Sequence, residues 1–79
     1  MNFHFGRQNI DPTFFNQTYP TERQHTFFPA VEKCWKEDTG NPIMHKVRMT
    51  YTAKNNTRWD VQWSVQGDDL TVTSLTRLP

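Results

Sequence analysis

The stretch Trp59-Asp60-Val61-Gln62-Trp63-Ser64-Val65 alternates apolar and polar residues without a break. Successive side chains of a strand point to opposite faces, so this run specifies a strand with one apolar and one polar face. A helix would scatter the same residues around its whole circumference. The upstream segment keeps the period. Ile43, His45, Val47, Met49, Tyr51 and Ala53 share one parity, and Lys46, Arg48, Thr50, Thr52 and Lys54 share the other. Asn55-Asn56 between the runs is a turn signal, because asparagine tolerates positive φ.

Parity restricts how these strands pair. Both apolar faces fall on odd numbers, and a one-residue slip would turn one of them to water. Two registers keep the faces together. One places Thr52 opposite Asp60 and leaves Asn55-Asn56-Thr57 as the loop; the other places Thr52 opposite Arg58 and leaves Ala53 to Thr57. The shorter loop is the expectation. A third strand follows Gln66-Gly67-Asp68-Asp69, read as a four-residue turn, with Val65 opposite Leu70. Leu70 and Val72 then alternate with Thr71 and Thr73, but Leu75 falls on the wrong parity. A β-bulge near Ser74 restores it.

Upstream of these strands the period is 3.6. Phe27, Phe28, Val31, Cys34 and Trp35 share one helical face, interrupted by Pro29. Proline cannot donate to the helical ladder, so a regular helix is expected from Pro29 to Asp38, with Gly40 and Pro42 ending it. Thr21-Glu22-Arg23-Gln24 matches a capping box in the looser turn before it. Asp11-Pro12 is a second helix-start signal, for one turn from Thr13 to Gln17. Met1, Phe3 and Phe5 alternate with Asn2, His4 and Gly6, which fits a short N-terminal strand.

The fold class is therefore α+β. One main helix packs on one face of an antiparallel three-stranded C-terminal meander, with a short N-terminal fourth strand as an option. The 79 residues form a single small domain. A chain of this size buries only about 60% of the surface it exposes when unfolded, so its core depends on six Phe, three Trp and two Tyr. Trp35, Val47, Met49, Val61 and Trp63 are expected to be buried together.

The chemistry-bearing residues are few. His4, His25, His45 and Cys34 have none of the spacings of a zinc site, so no metal is expected. The single cysteine, Cys34, lies on the helical stripe, where a small buried thiol is the usual occupant. No glycine-rich phosphate loop is present, no cofactor is expected and no catalytic residue is assigned. An acid–base pair of His45 with Asp60 would suit a small ribonuclease, but the two have opposite parity and should point apart. No apolar run is long enough to cross a membrane, and no signal-peptide pattern is visible. The expected compartment is the cytoplasm.

What remains is binding. The preferred reading is a non-enzymatic protein-interaction or regulatory module, of the size of phage and mobile-element accessory proteins. It would dock another protein, of unknown identity, through a sheet face or edge. Phe14, Phe15 and Tyr19 are expected to be partly exposed anchors, and self-association into a homodimer is an option. The runner-up is a nucleic-acid-binding protein or RNase-like toxin. It would use Lys46, Arg48, Lys54 and Arg58, which project from the polar sheet face without aromatic stacking platforms.

Overall fold

The structure is a computed structural model that describes residues 1–37 and 46–79. Strand β1 (Asn2–Phe5) is followed by a single helical turn, α1 (Phe14–Gln17), and then by the main helix. Strands β2 (Arg48–Thr52), β3 (Arg58–Gln66) and β4 (Asp69–Arg77) complete the chain. The four strands form one sheet in the order β1-β4-β3-β2. The meander β2-β3-β4 is antiparallel, as its tight turns require. β1 joins parallel to β4, so the sheet is mixed rather than all antiparallel. This arrangement carries the chain from one sheet edge, through the helices, to the opposite edge.

The faces follow the parity of the sequence. Trp59, Val61 and Trp63 are buried with Leu70, Val72 and Leu75, together with Tyr51 and Ala53. The opposite parity carries Arg48, Thr50, Asp60, Gln62, Ser64 and Thr71. The register shift lies where the slipped alternation demands it. Gln62 faces Ser74 while Trp63 faces Val72, leaving Thr73 as the extra residue. Val65 faces Leu70 as expected, but Gln66 also pairs with Asp69, so Gly67-Asp68 alone turns the chain. Gly67 sits at φ 58°, in the left-handed region that glycine enters at little cost.

The first hairpin adopts the longer of the two permitted loops, with Thr52 opposite Arg58. The loop is internally satisfied, which favours it over the shorter one. Ala53 N–H donates to Thr57 O (2.8 Å), and Asn56 N–H donates to Ala53 O (2.9 Å). Asn55 Oδ1 accepts from the Thr57 hydroxyl (2.7 Å). Asn56 takes the left-handed position at φ 68°.

The main helix starts earlier than Pro29. It runs as α2 (Pro20–Glu22), a π-helical turn (Arg23–Phe27) and α3 (Phe28–Lys36). Phe28 N–H donates to Arg23 O, five residues back. The wider turn lets the helix pass Pro29, which has no N–H to give and whose ring would crowd the carbonyl of His25 in a regular helix. The capping box does not form. Tyr19 holds the N-cap position without a side-chain bond, and Pro20 supplies a preset φ at the first turn. Glu22 is instead buried. The expected end at Asp38 and the Gly40 and Pro42 signals lie outside the described residues, as do Ile43 and His45.

Aromatic rings from the helical layer fill the space over the sheet. Phe14 meets Trp59 edge-on at 5.1 Å, and Phe27 meets Tyr51 edge-on at 4.9 Å. Phe28 stacks on Phe3 at 4.8 Å. Trp35 and Met49 are half-buried against this core, but Val47 is 55% exposed. It stands at the entry of an edge strand, so its side chain has a neighbouring strand on one side only.

Before α1, Asp11 Oδ1 accepts from the Thr13 hydroxyl (2.7 Å) and the Thr13 N–H (2.9 Å). These bonds hold the Asp11 carboxyl below its ordinary value of 3.8. A depressed carboxyl contributes stability above its unfolded pKa and loses it as pH falls through the folded one. Asp11→Asn keeps the acceptor but not the charge. It should be less stable than wild type at neutral pH, and the difference should shrink as pH falls below 3.8, as read from urea midpoints across a pH series.

Candidate docking edge

The N-terminal strand is the outer member of its end of the sheet, and the direction of its backbone groups is fixed by its ladder. Asn2 N–H donates to Asp68 O (2.7 Å) and Gly6 N–H to Val72 O (2.8 Å). In a parallel ladder the backbone groups alternate in direction, so Asn2, His4 and Gly6 face β4. The N–H and C=O groups of Phe3 and Phe5 therefore face away from the sheet. Natural proteins guard such edges with charge, proline or a bulge. The sequence Asn2-Phe3-His4-Phe5 contains no lysine and no proline, and its pairing with β4 has no register shift.

A groove of about 650 Å³ runs beside this edge on the helical side. Phe3, Phe5 and Phe28 form its apolar wall, and Pro20, Arg23 and Gln24 form the opposite lip. Among the described residues, Arg23 is its one charged side chain of fixed sign, and no carboxylate lines it. The main helix is phased so that Phe28 faces β1. At the far end, Phe15 meets Phe5 edge-on at 5.0 Å. The Arg23 guanidinium lies 5.1 Å over the Phe15 ring. Arg23 also donates to Thr18 O at 2.6 Å, which fixes this corner.

The expected anchors divide. Phe15 (38% exposed) and Tyr19 (79%) stand at the surface, while Phe14 is fully buried against Trp59 and Phe27, which removes it from the exposed set. Phe14 and Phe15 are adjacent on a helical turn and so diverge by about 100°. One enters the core, and the other lies at the surface against Phe5. Sequence reasoning missed Phe3, Phe5, Arg23 and Phe28 as lining residues. The signal for Phe3 and Phe5 was the alternation of the first five residues, and that for Phe28 the helical apolar stripe, but nothing local shows that β1 occupies an edge or that the helix passes beside it.

The basic set is spread out. Arg48 and Asp60 form a bidentate pair, with Nε to Oδ1 at 2.9 Å and Nη2 to Oδ2 at 3.0 Å. Lys46 lies 3.8 Å from Glu37. Among the described residues, Lys54 and Arg58 form no ion pair. The positive strip is thus reduced to two cations near the β2–β3 turn. Asp60 is already bound by Arg48, and His45 lies outside the described residues.

Two polar centres remain. On the open face, His4 Nε2 lies 3.1 Å from Asp69 Oδ1. That bond, with one to Asn2, holds the Asp69 carboxyl below its usual range. On the core side, the Glu22 carboxylate accepts from the Tyr51 hydroxyl (2.7 Å) and Lys54 N–H (3.0 Å). Burial and this bond keep the Tyr51 phenol protonated well above the ordinary value for tyrosine. This buried link ties the helix to the first hairpin. Among the described residues, no three His, Cys, Asp or Glu side chains converge as a metal site. Of the same residues, no helix is long and apolar enough to cross a membrane. No family model, curated protein or solved structure matches this chain.

Proposed function

We propose that the protein is a non-enzymatic interaction module that docks another protein along the β1 edge. The observation that supports this is the outward-facing backbone of Phe3 and Phe5, unguarded and beside an apolar groove. An extended partner segment can pair with that backbone and place alternate side chains against Phe3, Phe5 and Phe28. This is recognition by strand addition. Phe15 and Tyr19 extend the surface at one end. The open sheet face suits docking less well, because its Arg48–Asp60 pair is already satisfied internally.

The lone Cys34 makes a direct test practical, because a synthetic 1–33 segment can be ligated to an expressed 34–79 segment. N-methylation of the Phe3 amide removes one outward donor and adds bulk at the edge, while the β4 ladder keeps its bonds. A partner captured from host lysate by the unmodified chain should be lost with N-methyl-Phe3 and retained by Lys54→Glu with Arg58→Glu. The reverse pattern would place binding on the remaining cations and remove the edge from the mechanism.

A further inference from the structure

We propose that a second copy of this chain occupies the β1 edge, the two β1 strands pairing antiparallel about a two-fold axis through His4. The inference rests on the reading of β1 as a docking edge and names its partner. The edge is self-complementary in a specific sense. The outward groups of Phe3 and Phe5 are placed symmetrically about His4. Turned through the two-fold, Phe3 of one copy faces Phe5 of the other, and each such pair exchanges two backbone hydrogen bonds. Four bonds form, and none of the four outward groups is left without a partner. Interfaces of this kind present the same patch on both subunits.

The side chains agree with the backbone. Phe3 and Phe5 point toward the helical layer, where Phe28 stacks on Phe3. Pairing brings the Phe3 ring of one copy beside the Phe5 ring of the other, a favourable cross-strand combination. With the axis perpendicular to the sheet, both helical layers lie on the same side. The two grooves of about 650 Å³ then open onto each other and close as one apolar seam. The same register sets the exposed Arg7 of one copy opposite Met1 of the other, at the open end of the pairing where solvent screens the charge. The net charge is +1, the groove lining carries no acid, and Arg23 is held by Thr18 and Phe15 within its own copy. On the polar face, each His4 already has Asp69 as its partner.

The register makes a sharp test. His4 faces His4 of the other copy as a non-hydrogen-bonded pair, with Cα atoms about 4.5 Å apart. That spacing lies within the disulfide range of about 4.4–6.8 Å. In a Cys34→Ser background, His4→Cys should form a covalent dimer on mild oxidation. Thr50→Cys, on the opposite edge, and Ser64→Cys, on β3, should stay monomeric under the same conditions. Independently, the native chain should sediment as a concentration-dependent dimer. N-methyl-Phe3 should raise its dissociation constant about tenfold or more, since the symmetry removes two bonds at once. Cross-linking through Thr50→Cys instead of His4→Cys would overturn the proposal. A native chain that stays monomeric into the millimolar range would overturn it too, while leaving strand addition by a different protein to the capture experiment.

Discussion

Trp59→Ala is expected to abolish cooperative folding at room temperature. Trp59 is fully buried, meets Phe14 edge-on, and donates from Nε1 to the Thr57 hydroxyl at 2.8 Å. Truncation leaves a ring-sized cavity between the sheet and α1. Large aromatic-to-alanine changes of this kind cost about 3–5 kcal/mol. At about 0.05–0.15 kcal/mol per residue, a domain of this size has about 4–12 kcal/mol in total, so the change removes a large share of it. Loss of the near-UV circular dichroism signal and of a sigmoidal melt would report it. A mutant that melts at the wild-type temperature would show that the helical layer does not rest on this ring. Trp63 is the weaker choice, because its buried Nε1 has no acceptor among the described residues. Truncating it removes an unsatisfied donor along with the packing, and the two effects partly offset.

Glu22→Ala should be the most damaging change to a polar residue, at about 2–4 kcal/mol. It strips the acceptor from the Tyr51 hydroxyl and the Lys54 N–H at once. Tyr51 is buried beneath Phe27, so its hydroxyl cannot simply turn to water. Glu22→Gln retains a carbonyl oxygen and should recover most of the loss. Tyr51→Phe with Glu22→Ala should cost less than the sum of the single changes, because each removes what the other leaves unpaired. Additive losses by denaturant titration would show that the carboxylate and the phenol are not coupled.

The parts of the fold legible in the sequence are those that one buried face dictates. Alternation over Trp59 to Val65 determined the strand, the parity of its partner and, through the slip at Leu75, the position of the bulge. The hairpin register was less constrained, because both permitted loops bury the same residues. The choice depended on hydrogen bonds among Asn55, Thr57 and Ala53, which parity does not see. Pro29 was read as a helix start. In the structure the helix absorbs it with a π turn, at a position where Phe27 and Phe28 both pack into the core. Tertiary burial there outweighs the local disruption. Glu22 is an intervening residue of the Thr21–Gln24 capping-box pattern, with no role in it, yet it is buried with partners 29 and 32 positions away.

The β1 edge was half legible for the same reason. Phe15 and Tyr19 are exposed, as expected, and the strand character of residues 2–5 follows from alternation. That this strand is an edge depends on strand order, which no local pattern encodes. Phe14 shows the limit most plainly. On a helical segment of four residues, two adjacent phenylalanines give no period from which to decide which one faces inward.

The pairing of Asn2–Phe5 with residues 69–72 also governs the order in which the chain can assemble. The meander joins neighbours in sequence and can close early, since its loops are short. β1 has no partner in the sheet until residues 69–72 have been made. During synthesis its phenylalanines wait with both strand edges bare, beside helices whose own sheet is still absent. Of the four strands, β1 therefore docks only after β4 exists, and the step that buries Phe3 and Phe5 completes the sheet.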